Sequence, residues 1–130
     1  MSAMSNYLES ALLNATLRNT SYTSPSAVYV GLFTSDPTDA GTGTELSGSS
    51  YARQSATFAA PHATDGTCTI SGDITFPTAT GTWGTITHVG IFDASSSGNL
   101  LFHGSLSASK TIASGDVLKV PASDLTITLA

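Results

Sequence analysis

After Pro25 the chain holds no stretch with the apolar spacing of a helix. Its apolar residues come in short runs, many of them alternating, that Gly, Ser, Asp and Pro cut apart. The first, "AVYVGLFT" (27–34), sets Val28, Val30 and Leu32 on one face and Tyr29 and Phe33 on the other. A strand apolar on both faces belongs in the interior of a sheet, covered from both sides. "YARQSATF" (51–58), "GTITHVGIF" (84–92), "NLLFHGSL" (99–106), "DVLKVP" (116–121) and "DLTITL" (124–129) read as further strands. "TCTISGDITF" (67–76) reads either as a tight hairpin at Ser71-Gly72 or as one bulged strand. The expectation is a mainly β fold: an antiparallel β-sandwich or small barrel of about eight strands over about 26–130, with one N-terminal α-helix.

That helix is expected at about 6–18, where Leu8, Ala11, Leu12, Ala15 and Leu17 form an apolar stripe. Asn6 and Glu9 have the spacing of a capping box, Arg18 suits the negative end of the dipole, and Pro25 closes the region. A helix this short cannot cover a sheet; it should plug one end of the sandwich or dock on a neighbour. The 130 residues suffice for a single domain over 1–130 with one continuous core. Between the first two strands, "SDPTDAGTGTELSGSS" (35–50) reads as a long exposed loop and the one candidate hinge. A loop of that length is uncommon unless something uses it.

Charged residues make up only 10% of the chain, against a usual quarter, and Ser and Thr, 20 of each, fill the gap. The net charge is −5, and the four basic residues, Arg18, Arg53, Lys110 and Lys119, are scattered. Phosphate backbones demand clustered cations, so no nucleic-acid partner is expected. "MSAMSNYLES" lacks the basic start and apolar run of a signal peptide, and no run approaches a membrane span. Cys68, the one cysteine, reads as a buried structural thiol.

No catalytic constellation stands out, and no cofactor or metal is expected. If "DASSSG" turns the chain so that Phe92 pairs with Asn99, then His88 comes to face His103. Two imidazoles would need further ligands, from His62 or an aspartate, to hold a metal. A polar stripe on a sheet face is the simpler reading. The serines include no G-x-S-x-G elbow, and "GTGTELSGSS" lacks the lysine and following helix of a phosphate loop. Asp36 and Asp39 lie in a polar loop, where turn formation explains them. Trp83 fits the core between Phe76 and the next strand.

Taken together, "SNYLESALLNATLRN", "VYVGLFT", "SDPTDAGTGTE", "GSSYARQ", "ITFPTATGTWGTITHVGIFDA", "GNLLFHGSL" and "VPASDLTITL" resemble a family of short virion structural proteins of tailed bacteriophages. Its members often carry the label tail fibre protein. The resemblance covers nearly the full length. It implies a non-enzymatic virion component on the capsid surface or tail, made in the host cytoplasm, and it supplies no catalytic residues. A compact chain without fibrous sequence fits a capsid cement, or decoration, protein that grips the major capsid protein. The alternative is a small tail or fibre-attachment subunit among tail proteins. A homo-oligomer is expected, because symmetric particles recruit symmetric adapters. The helix and the 35–50 loop are the natural grips. Tyr7, Leu8, Leu12, Asp36, Asp39, Glu45 and Tyr51 are the candidate interface residues.

Overall fold

The computed structural model describes residues 3–129. In chain order the elements are β1 (Ala3–Met4), α1 (Asn6–Leu17), β2 (Val28–Phe33), β3 (Gln54–Ala56) and β4 (Thr67–Thr69). Then follow β5 (Ile74–Thr75), β6 (Gly84–Phe92), β7 (Leu100–Ile112), β8 (Lys119–Val120) and β9 (Thr126–Thr128). Five strands form one antiparallel sheet in the order β1-β7-β6-β2-β3. The other four form two short antiparallel ribbons, β4–β9 and β5–β8. The result is a small mainly β sandwich with one helix, and the described strands close no barrel.

The core lies between the sheet and the ribbons. Val30, Leu32, Ile86, Val89, Ile91 and Ile112 come from the sheet side, and Ile70, Ile74, Phe76 and Ile127 oppose them. Trp83 is buried against this cluster, as its position in the sequence implies. β2 has neighbours on both edges and buried side chains on both faces: Val30 and Leu32 face the core, while Phe33 joins Phe92 and Leu100 in a second cluster.

Several local details differ from the sequence reading. Ser5, not Asn6, caps α1: its Oγ accepts the Leu8 N–H and donates to the Leu100 carbonyl. Asn6 is the first helical residue, so the cap lies one position earlier and no capping box forms with Glu9. Arg18 sits just past the helix as its C-cap, where its backbone N–H donates to the Asn14 carbonyl. Only Leu8 of the expected stripe is fully buried; Leu17 is 76% exposed. The ladder of the 51–58 segment shrinks to β3, with Phe58 bridging Ile70.

Segment 67–76 is no hairpin, because β4 pairs with β9 and β5 with β8. The chain bends at Ser71-Gly72 and runs on, which is closer to the bulged strand. The Ile70 N–H donates to the Leu125 carbonyl and so continues the first ribbon's pairing. Cys68 is half-buried rather than buried, with its thiol directed at the Ala59 carbonyl.

The register expected for the 84–106 hairpin shifts by two residues. His88 pairs with Ser105, and His103 pairs with Gly90. Two one-residue shifts add up: Phe92 pairs with Leu100 and not with Asn99, and a bulge at Leu101 then sets Ile91 opposite Phe102. Leu100 and Leu101 are both buried, and Leu100 joins Phe33 and Phe92 on the outer face. The two histidines therefore do not oppose one another.

Two outcomes test this packing. Phe76 is 1% exposed at the centre of the core, so Phe76→Ala should cost about 3–5 kcal/mol in urea unfolding. Asp73 accepts the Ala122 N–H and pairs with Lys119, and both hold its carboxyl below the usual range. A folded-state value below the unfolded one stabilises above about pH 4 and is lost as the pH falls further. Asp73→Asn should therefore lower the neutral-pH unfolding midpoint and reduce the loss of stability between neutral and acid pH.

Candidate functional site

The surface most elaborately built by the sequence lies on the outer face of the sheet, over β2, β6 and β7. It begins with Phe33, Phe92 and Leu100, which cluster on the face turned away from the main core. The Phe33 and Phe92 rings stack with centroids 6.0 Å apart. Gly31 and Gly90 make room for them. A Cβ on Gly31 would fall 2.8 Å from Glu45 Oε2, and one on Gly90 would fall 2.8 Å from Leu100 Cδ1.

The loop over residues 35–50 covers this cluster and is tied down along its length. Thr34 and Leu46 donate their N–H groups to Thr44 and Leu32 carbonyls, and Glu45 bridges Phe33. Pro37 is fully buried. Asp36 Oδ1 accepts the Thr38 N–H at 2.9 Å, the turn role expected of an aspartate here. Asp39 ties the loop to two other elements. Its carbonyl accepts the Asn6 N–H at the start of α1, and its Oδ1 lies 2.8 Å from His103 Nε2 on β7. Asp36 Oδ1 lies 3.8 Å from the other ring nitrogen. The His103 side chain, 10% exposed, is thus flanked by two carboxylates and latches the loop to the sheet. These contacts make the loop a cover over the outer cluster.

Arg53 closes the opposite side. Its Nε and Nη2 each donate to one Glu45 oxygen at 2.8 Å, a two-pronged pair. Its Nη1 donates to the Ala94 and Ser97 carbonyls at 3.0 and 2.7 Å, and the guanidinium lies 3.5 Å over the Phe92 ring. Tyr51 Oη donates to Glu45 Oε2 at 2.7 Å and accepts the Leu32 N–H. Burial, and then the bond to Glu45, push the Tyr51 phenol above its ordinary range, so it stays a donor. The Tyr51 ring meets Trp83 edge-on at 5.6 Å and stacks on Phe76. Trp83 Nε1 donates to the Ser49 carbonyl. Ser49 and Ser50 carry φ of 51° and 67°, a left-handed turn that non-glycine residues rarely adopt.

Among the sequence-predicted interface residues, the start of α1 meets the loop where the Asn6 N–H donates to the Asp39 carbonyl, and Tyr51 bonds Glu45. Tyr7, 43% exposed, belongs to α1, and the carboxylates of Asp36 and Asp39 are about half exposed beside His103. Leu8 is buried, Leu12 is half-buried, and Glu45 and Tyr51 make their polar contacts within the chain. Sequence reasoning missed Arg53, although it is one of only four basic residues and follows Glu45 by eight positions. It also missed Tyr22, half-buried, whose phenol burial and then the nearby Tyr7 and Asp93 push upward. His88 Nδ1 lies 2.8 Å from Thr87 Oγ1, and His62 sits with Thr64 and Asp65 on an exposed turn. No group of three or more His, Cys, Asp or Glu among the described residues converges on a metal position. No helix there is long and apolar enough to cross a membrane.

Two substitutions separate the anchors. Arg53→Ala strands the Glu45 carboxylate in a half-buried site and should cost about 2–4 kcal/mol in denaturant unfolding. Arg53→Lys should recover only part of this, because a point charge cannot reproduce the fork. His103→Ala should leave the core intact but speed hydrogen exchange of the Thr42 and Thr44 amides by on the order of tenfold.

This arrangement fixes a shape and presents side chains; it aligns no nucleophile with a base. No curated protein matches the chain. A family described as "Podophage GP4 fiber I protein gp80" matches residues 3–128. The chain belongs to that family, one of phage tail fibre-type structural proteins.

Proposed function

We propose that the chain is a small structural subunit of a phage tail fibre or its attachment, and that it works by binding other virion proteins. The family match carries this reading, since its description names a fibre protein. That favours the tail over the capsid-cement role that compactness alone suggested. The architecture supports a binding role. The outer-face loop is held from below by a second apolar cluster, from one side by His103 and from the other by Arg53. Such a surface meets a partner without first having to be ordered. Tyr7, Asp36 and Asp39 are the side chains it offers: an amphipathic aromatic on the helix and two carboxylates on the loop. With its N-terminal helix beside this loop, the domain has two elements outside the regular strands with which to grip a neighbour.

Counting copies in purified particles tests the reading. Quantitative mass spectrometry against a tail protein of known number should find a small multiple of the tail's symmetry. Hundreds of copies per particle would overturn it in favour of the capsid shell. Substituting Tyr7→Ala together with Asp39→Asn should reduce incorporation into particles while the purified domain keeps its fold.

A further inference from the structure

Between the sheet and the β4–β9 ribbon lies a cavity of about 410 Å³. Ligand pockets run from about 300 to 1,000 Å³. Val28 and Phe102 wall it from the sheet, Cys68 and Ile127 from the ribbon, and Phe58 and Leu129 from the segments beside them. Val28, Phe58 and Phe102 pack on the main core yet stay half-buried, and Leu129 is 48% exposed. The wall is thus an uncovered part of the apolar core.

Two observations define what this cavity can take. First, no Asp, Glu, Lys, Arg or His lines it, and the polar atoms of its wall are bonded within the chain. The Thr67 N–H and hydroxyl both donate to Asp65 Oδ1, the Cys68 thiol is directed at the Ala59 carbonyl, and the Gly66 carbonyl accepts the Leu129 N–H. A buried water needs two to four polar partners, and an apolar occupant needs none. Second, the charge beside the cavity is negative. Asp65 directly precedes Gly66 and bonds Thr67, both of which line the cavity. Its carboxylate is more than half exposed, with Oδ2 lying 3.2 Å from His62 Nδ1. None of Arg18, Arg53, Lys110 and Lys119 lines the cavity to receive the head group of a fatty acid or an anionic lipid. A cation next to the apolar group would instead be drawn to Asp65.

We propose that this cavity receives an uncharged apolar side chain of another virion protein, carried next to a lysine or arginine. The apolar group fills the space between sheet and ribbon, and the cation meets Asp65. The contact lies apart from the outer-face loop and helix, so the domain can hold two neighbours at once. The assignment rests on the fibre reading above only for the identity of the partner.

NMR titration of the isotope-labelled chain with two probes that share one ring, naphthylethylamine and naphthylacetate, tests it. Both should shift the Cys68, Phe102, Ile127 and Leu129 amides saturably, and the amine should bind about threefold tighter, the size of an exposed ion pair. D65N keeps an acceptor oxygen for Thr67 and should erase that difference. C68F fills the cavity and should weaken both probes by on the order of tenfold. C68A should keep binding them, because the thiol is not needed. Circular dichroism melts verify that each variant is folded; if C68F is not, the shift map and D65N decide without it. Shifts that do not saturate, or that fall on other amides, would overturn the site. Naphthylacetate binding as tightly as the amine, or a preference that persists in D65N, would overturn the partner's chemistry in favour of a lipid chain or a neutral anchor. Self-association of the native chain that C68F abolishes would overturn it in favour of a second copy. None of these outcomes bears on the copy number in the particle, so failure here is distinct from failure of the fibre assignment.

Discussion

One carboxylate couples the two faces of this domain. Glu45 takes both prongs of Arg53 and the hydroxyl of Tyr51. Through Arg53 it reaches the turn after β6, where the Ala94 and Ser97 carbonyls accept the remaining donors. Through Tyr51 it reaches the Leu32 amide and the Phe76–Trp83 rings of the main core. A charged pair this far from water holds only if its lone pairs and protons are satisfied. Here they are, and no buried side-chain polar atom among the described residues lacks a partner. The loop's position, the turn's shape and the outer aromatic cluster all depend on that condition.

The broad form of the fold was legible because it rests on patterns that survive any tertiary context. Apolar alternation in "AVYVGLFT" placed β2 inside a sheet, and the 3.6-residue stripe placed α1 within a residue of its observed end. The cap was misread because Ser5 and Asn6 are both competent. Ser5 prevails because its hydroxyl also reaches the Leu100 carbonyl, a contact 95 residues away in sequence. Strand partners for 67–76 were illegible for a similar reason. Nothing local says that Cys68 meets Ile127 while Ile74 meets Val120.

The site was less legible than the fold. The histidines drew attention as a facing pair, and a turn longer by one residue together with one bulged leucine undoes that register. His103 instead finds Asp39, 64 residues upstream, and the loop that composition marked as a hinge becomes a cover. Polar composition reports that a segment can be solvated. It does not report how many of its backbone groups are already bonded, and in 35–50 Pro37 is fully buried. Family membership, by contrast, was visible in the ordered blocks of sequence, two of which carry Glu45 and Arg53, whose contacts only the structure shows.

The pairing of β4 with β9 has a consequence for biosynthesis. Ile127 belongs to the core, and its strand partner Cys68 lies 59 residues earlier in the chain. Closure of the core thus waits on residues translated long after the first sheet strands have left the ribosome. Nascent chains will hold the Val30 and Leu32 face uncovered throughout that interval. An unfinished core of this kind exposes apolar surface until the last strand arrives, which is where misassociation competes with folding.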